Sequence, residues 1–381
     1  MIKSRLVPTL LLGFSLAGSA LALNVENFTV PGQSVANAEG PTLINANSTV
    51  TNDLNGHLFN LRAGYGEEGA NDGIGASMDL GVISGQGDGN PDAKAPVAQQ
   101  VKPSRPWEVF TSVGYNNIKL NAIKSQAGVQ VDAWAPSVGI ERHLTRGLAL
   151  GFATTFLTSD QGYTNGLGHA HLEGPALSAY LSFVRKNFWS SLLYSFGDYQ
   201  MDTTRNPGFG LAQALGSTRT YTNAVQYNTG WNFRFQNNTL VTGPFAGIDY
   251  LYGTLRGYSE NSSGLGALTF GRQTYQSLVT RVGWSVTKKV ETNWAVITPQ
   301  ARLSYERQNI TNNNGSGVTQ INAPVSSLGG NQSPGQSYMV AGAAVNFEFN
   351  DRFSMLLSYQ GQFLRANQDA HYGSVRLSYK F

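Results

Sequence analysis

The chain has 381 residues, among them 44 glycines and no cysteine, with 41% apolar, 11% aromatic and 13% charged residues and a formal net charge of +3. That apolar content with so little charge excludes wholesale disorder, and the missing thiols exclude disulfide scaffolds, thiolate metal sites and cysteine nucleophiles. No apolar run after residue 23 reaches the roughly 18 residues of a membrane-spanning helix, so a glycine- and aromatic-rich, β-leaning chain remains, with water or lipid as its solvent.

Lys3 and Arg5 precede a mostly apolar stretch from Leu6 to Ala17, and Ala20-Leu21-Ala22 follows. Basic n-region, h-region and A-x-A cleavage site in that order predict a secretory signal peptide over 1–22, addressed to the Sec translocon. Its removal leaves 24 basic against 23 acidic residues, so net charge gives no reason to expect nucleic acid or another polyanion as partner.

A helix is predicted over about 48–63. Val50, Leu54, Leu58 and Leu61 share one face by their spacing of four, four and three. Ser48 is placed to cap it, Asp53 and Arg62 suit its early and late turns, and Gly64 can end it. Its Asn-rich polar faces suit a wet pore. Residues 64–105, with Gly-Asp-Gly-Asn at 87–90 and Pro91, Pro96 and Pro103, read as a flexible low-complexity linker.

From residue 106 onward, apolar and polar residues alternate with period two. Segments near 106–117, 130–142, 147–158, 172–185 and 187–200 come first. Val225, Tyr227, Trp231, Phe233 and Phe235 then oppose Gln226, Asn228, Asn232 and Arg234, and Leu240, Pro244, Ala246, Ile248, Tyr250 and Tyr252 form the next face. Strands around 278–286, 295–306, 339–349, 353–363 and 375–381 follow, twelve in all. Runs this long match a tilted transmembrane strand of about 9–11 residues better than a soluble sandwich strand.

The connections are predicted to alternate. Those at 118–129, 159–171, 201–217, 255–270 and 309–336 are long and that at 366–370 intermediate, while those at 143–146, 186, 236–239, 288–293 and 350–351 are short. Short turns at one end and long loops at the other are the asymmetry of an outer-membrane barrel, in which closure satisfies every backbone group where lipid cannot.

The terminal strand is more specific. Val375, Leu377, Tyr379 and Phe381 alternate with Arg376, Ser378 and Lys380, which resembles the C-terminal signal by which outer-membrane barrels engage their assembly machinery. Gly147-Leu-Ala-Leu-Gly-Phe152, Gly243-Pro-Phe-Ala-Gly-Ile-Asp-Tyr250, Tyr275-Gln-Ser-Leu-Val-Thr-Arg-Val-Gly283 and Ile297-Thr-Pro-Gln-Ala-Arg-Leu303 are similar, in the same order, to recurring segments of the autotransporter β-domain, the translocator of type V secretion. So are the opening Trp107 and the closing Phe381. The resemblance covers roughly 105–381.

It implies an all-β fold: a twelve-stranded antiparallel transmembrane barrel in the bacterial outer membrane, both barrel termini periplasmic, crossed by a helix that joins it to a passenger. Expected partners are outer-membrane lipid, the barrel assembly machinery and periplasmic chaperones. Residues 23–105 then comprise a short passenger remnant, the helix and the linker, and 106–381 the barrel. The chain departs from the family in its brief, repeat-free segment between Leu23 and the helix.

Sites for chemistry are sparse. Gly64-Tyr-Gly-Glu-Glu-Gly69 fits G-x-G-x-x-G, but no strand precedes it and Glu67 and Glu68 stand where phosphate would lie. Asp88, Asn90 and Asp92 imitate a calcium loop, with Ala93 and Gln99 at its key later positions. His169 and His171 share a strand face, with Glu173 nearby, and read as a polar loop base rather than a metal site. Asp369 with His371, and Asp198 with Asp202, lie singly near outer loops, and no G-x-S-x-G elbow occurs.

No cofactor, metal or enzymatic activity is therefore expected. Arg234, Arg281, Arg302, Glu306, Glu348 and Arg376 are expected in the lumen, pairing with one another and with the helix. The sequence thus predicts a translocator or anchor for a short N-terminal segment, with a passenger-less porin-like channel or a surface-loop display protein as the alternative.

Overall fold

The computed structural model describes residues 47–62, 107–122, 128–145, 147–207, 212–261, 267–314, 318–320 and 336–381. The expected signal peptide, the segment before the helix, Gly64, the glycine-rich and acidic motifs and the stretch 64–105 expected as a linker lie outside the described residues. Twelve antiparallel strands make the barrel: β1 (Trp107–Leu120), β2 (Val129–Thr145), β3 (Leu148–Tyr163), β4 (Gly168–Arg185), β5 (Phe188–Arg205), β6 (Ala214–Trp231), β7 (Leu240–Leu255), β8 (Gln273–Lys288), β9 (Val296–Asn314), β10 (Ser337–Glu348), β11 (Phe353–Phe363) and β12 (Gln368–Lys380).

Each strand pairs with its sequence neighbours, and β12 closes on β1 from Glu108↔Lys380 to Leu120↔Gln368. Closure leaves no unpaired edge facing lipid. All twelve strands read from the alternation are present. Their greasy faces point outward: Trp134, Phe152, Leu177, Val282, Trp284 and Leu303 are more than half exposed, a surface that needs hydrocarbon around it.

The strands run further than the alternation indicated, which corrects the loop lengths. The connection expected over 159–171 shrinks to 164–167, a single turn of 3₁₀ helix, and that expected over 366–370 becomes 364–367. The asymmetry between the two ends is carried mainly by the connections 256–272 and 315–336. The physical reason lies in the outer ends of β3 and β4. Asp160, His169, His171 and Glu173 make this stretch look like loop, but the ladder continues through Asp160↔His171 while Tyr163, Ala170 and Leu172 point inward and are buried.

Nor is the inner face uniformly wet, as a simple pore would be. At the outer end Ile118, Leu120, Val129, Val131, Leu157 and Leu172 form an apolar cluster, joined by Tyr258, Leu268 and Phe270 from the 256–272 connection. Its strands Tyr258–Ser259 and Leu268–Phe270 form a small sheet with Val318–Gln320 from the 315–336 connection. Arg205 holds it through two bonds to Glu260 at 2.8 and 2.5 Å, both side chains being buried. Where the strands overshoot the bilayer, the barrel packs like a soluble core.

Glycine makes room for the large inward rings. A Cβ on Gly151 would sit 2.1 Å from the Tyr180 ring, whereas one on Gly162 would meet nothing. Gly151→Val is expected to cost about 1–3 kcal/mol by overpacking, and Gly162→Val close to nothing. The check is the temperature at which the folded, fast-migrating gel band is lost.

Candidate functional site: the occupied lumen

A helix, α1 (residues 47–62), lies inside the barrel. At about 1.5 Å per residue it is roughly 24 Å long, nearly the depth of the hydrocarbon layer. Its apolar stripe sits against an apolar part of the wall. Leu54 and Leu58 pack with Phe110, Ala153, Tyr180 and Leu193, partly buried Leu61 lies beside them, and Val50 joins the outer cluster. Phe59 turns toward Trp189 and Phe245, with ring centroids 5.9 and 5.2 Å away.

The other faces of α1 bond to inward polar residues. Asn116 of β1 donates to Thr49 at 2.9 Å, Asn55 donates to Gln226 of β6 at 2.5 Å, and Gln226 donates to Thr51 at 3.0 Å. Gln300 of β9 donates to Asn60 at 2.6 Å. Asp53 accepts from Ser112 at 2.7 Å and from Arg376 of β12 at 2.6 Å, and His57 meets Glu141 of β2 at 2.9 Å. Arg62 lies 3.3 Å over the Trp189 ring and donates to Ser191. Partners thus come from around the circumference and give Thr49, Thr51, Asp53, Asn55, His57, Asn60 and Arg62 at least one polar bond each, which offsets part of the cost of burying them.

These contacts set direction. Thr49 meets the outer half of β1 and Arg62 meets the start of β5, so α1 begins toward the outer rim and ends at the rim where β1 begins and β12 ends. Ser48, expected as the cap, falls inside the helix, and Asn116 donates to it at 3.5 Å.

Of the charges expected in the lumen, Arg281 pairs with Asp249 and, at 3.5 Å, with Glu306. Arg302 donates to Gln360 and lies 4.6 Å over the Phe59 ring, and Arg376 pairs with Asp53. Two keep the inward register but bond differently than expected: Arg234 follows the end of β6 and reaches the Lys186 carbonyl at 3.5 Å, and Glu348 ends β10 and accepts from Asn346 at 3.2 Å, so neither of these bonds goes to another charge or to α1.

His169 and His171 lie on the outward face of β4, and His171 meets Asp160 at 2.7 Å and Glu173 at 3.6 Å. Asp198 and Asp202 share the outward face of β5, Asp202 opposite His171. On β12, Asp369 faces Lys119 in register and His371 bonds Tyr359 at 2.7 Å. Val375, Leu377, Tyr379 and Phe381 are exposed on the outer surface, the Phe381 amide donating to the Trp107 carbonyl at 2.9 Å.

Sequence reading missed a polar group under α1. Glu108, Glu141 and His143 converge on the lumen side near the terminal rim. The signal was present: Glu141 and His143 alternate with Ile140, Arg142 and Leu144, which the period of two sends outward.

A family model for the autotransporter β-domain matches residues 109–360. The fold is similar to the translocator domain of the autotransporter NalP from Neisseria meningitidis, with TM-score 0.59 and 17% identity over 72% of this chain and 88% of that one. It is also similar to the β domain of the Bordetella autotransporter BrkA, with TM-score 0.56 and 13% identity over 72% of this chain and 100% of that one. Among curated proteins, no relative matches the sequence. The matched model spans more than half the chain and the same closed barrel holds a helix in its lumen, so this protein belongs to the autotransporter β-domain family, an outer-membrane translocator and anchor.

Proposed function

We propose that the barrel passes or anchors the short segment 23–46, with α1 as the part of the chain that stays in the lumen and residues 23–105 serving as passenger remnant, helix and linker. The observation that carries this reading is the direction of α1, whose start faces the outer rim and whose end faces the rim of the barrel termini. With that polarity Asn47 faces the outer rim, while the end of α1 and the start of β1 at Trp107 share the opposite rim. The polar bonds to the wall hold the helix after passage, and no catalytic step is assigned to it. An epitope tag inserted after Leu23 is expected to be accessible to antibody on intact cells. A tag accessible only after the outer membrane is opened contradicts the reading.

Delivery follows the same chemistry. The signal peptide would be taken by the Sec translocon, the unfolded barrel held by periplasmic chaperones, and the outward row Val375, Leu377, Tyr379 and Phe381 read by the barrel assembly machinery. Deleting Phe381 removes the 2.9 Å bond that ties the last residue to Trp107 and the aromatic end of the row. It is expected to lower the amount of heat-modifiable barrel in outer-membrane fractions several-fold while the exported chain still reaches the periplasm.

One observation favours a second reading, a porin-like channel. A partly open, polar-lined cavity of about 110 Å³ lies beside α1, lined by Arg281, Arg302, Glu306, Gln308, Gln360 and Arg365 among others. A wild-type barrel that conducts ions freely with α1 seated would support it.

A further inference from the structure

Glu108 of β1 and Glu141 of β2 stand directly opposite one another in the ladder, both facing the lumen and both buried, at 3% and 0% exposure. Like charges placed so are destabilising even on a solvated sheet, and away from water they demand a compensating cation. His143, two residues beyond Glu141 on the same face, places Nε2 3.1 Å from Glu141 Oε1 and 3.9 Å from Glu108 Oε2. One ligand atom from each of the three residues lies within 4.8 Å of the others.

The two oxygens of Glu141 differ. Oε2 is taken by His57 of α1 at 2.9 Å and by the Tyr180 hydroxyl at 2.8 Å. Oε1 is buried and makes no hydrogen bond, although it faces the same point as His143 Nε2. Of the nearby fixed cations, Arg376 is committed to Asp53, and Lys380 stands beside Glu108 on β12.

We propose that Glu108, Glu141 and His143 form a binding site for a single divalent transition-metal ion, with Zn²⁺ the best match. Two carboxylates and one imidazole are a mixed oxygen and nitrogen donor set. That set suits zinc, whereas calcium and magnesium take more oxygen ligands. Three protein ligands leave a fourth position for water. The ion would neutralise the opposed carboxylates and fix Glu141, the wall residue on which His57 docks, so metal binding and the seating of α1 become linked.

The test uses the full mature chain in detergent, stripped with a chelator and titrated with ZnCl₂ by calorimetry at neutral pH. One equivalent is expected to bind, and Glu141→Gln and His143→Gln are each expected to weaken binding about tenfold or more. His171→Gln, on the outer surface, should leave it unchanged. The heat-modifiable band reports folding of each variant, and partly exposed His143 provides a variant that folds even if Glu141→Gln does not. In the zinc-loaded wild type, X-ray absorption should show oxygen and nitrogen ligands at about 2.0–2.2 Å. A wild type that binds no stoichiometric zinc overturns the proposal. So does binding that survives His143→Gln and is lost with His171→Gln.

Discussion

Deleting residues 48–63 is expected to raise single-channel conductance in planar bilayers on the order of fivefold or more, because an α-helix with its side chains is about 10–12 Å across and here occupies the middle of the pore. The barrel itself should persist. Its backbone bonds close around the full circle without help from α1, and the wall groups that bonded the helix, among them Ser112, Gln226 and Gln300, gain water in its place. The deleted protein should therefore remain heat-modifiable. Unchanged conductance would place the barrier instead in the outer apolar cluster, where Leu268 and Phe270 meet Ile118 and Val131, and would favour the display reading.

The largest single-residue effect is expected at the Asp53–Arg376 pair. Both side chains are almost wholly buried; Asp53 also accepts from Ser112, and the Arg376 guanidinium lies 4.0 Å over the Phe110 ring. Removing one partner of such a pair strands the other charge and costs about 3–5 kcal/mol. Arg376→Leu is expected to lose about that much. The double variant Asp53→Leu with Arg376→Leu should recover most of the loss, since a buried pair replaced by apolar groups of similar volume is often neutral. Urea midpoints of the folded band measure both. A double variant as unstable as the sum of the singles would show that the pair acts as two independent contacts.

These two effects rest on features of unequal visibility in the sequence. The barrel was legible because lipid forces a strict consequence on the chain: every second residue of a long strand must be apolar, and Val375, Leu377 and Tyr379 obey this as plainly as Leu177 and Leu181. The overshoot of β3 and β4 beyond the bilayer was not legible. There the outward residues become polar and the inward ones apolar, which in composition resembles a loop. Long-range partners were hidden for a different reason. Asp53 looks like a helix-dipole residue by position, yet its partner Arg376 is 323 positions away, and Glu108 meets Glu141 only once the register of β1 and β2 is set. Spacing within one element carries no information about such pairs.

The lumenal position of α1 is tested most directly by cysteine cross-linking, since the chain has no cysteine of its own. Asp53 Oδ2 and Ser112 Oγ meet at 2.7 Å, whereas neighbouring Thr111 points outward. In the folded protein in outer membranes, Asp53→Cys combined with Ser112→Cys should be joined by a short bifunctional thiol reagent, giving a closed loop with altered gel migration. Asp53→Cys combined with Thr111→Cys should not. Equal cross-linking of the two pairs, in barrels whose heat-modifiable band persists, would contradict a helix seated in the barrel.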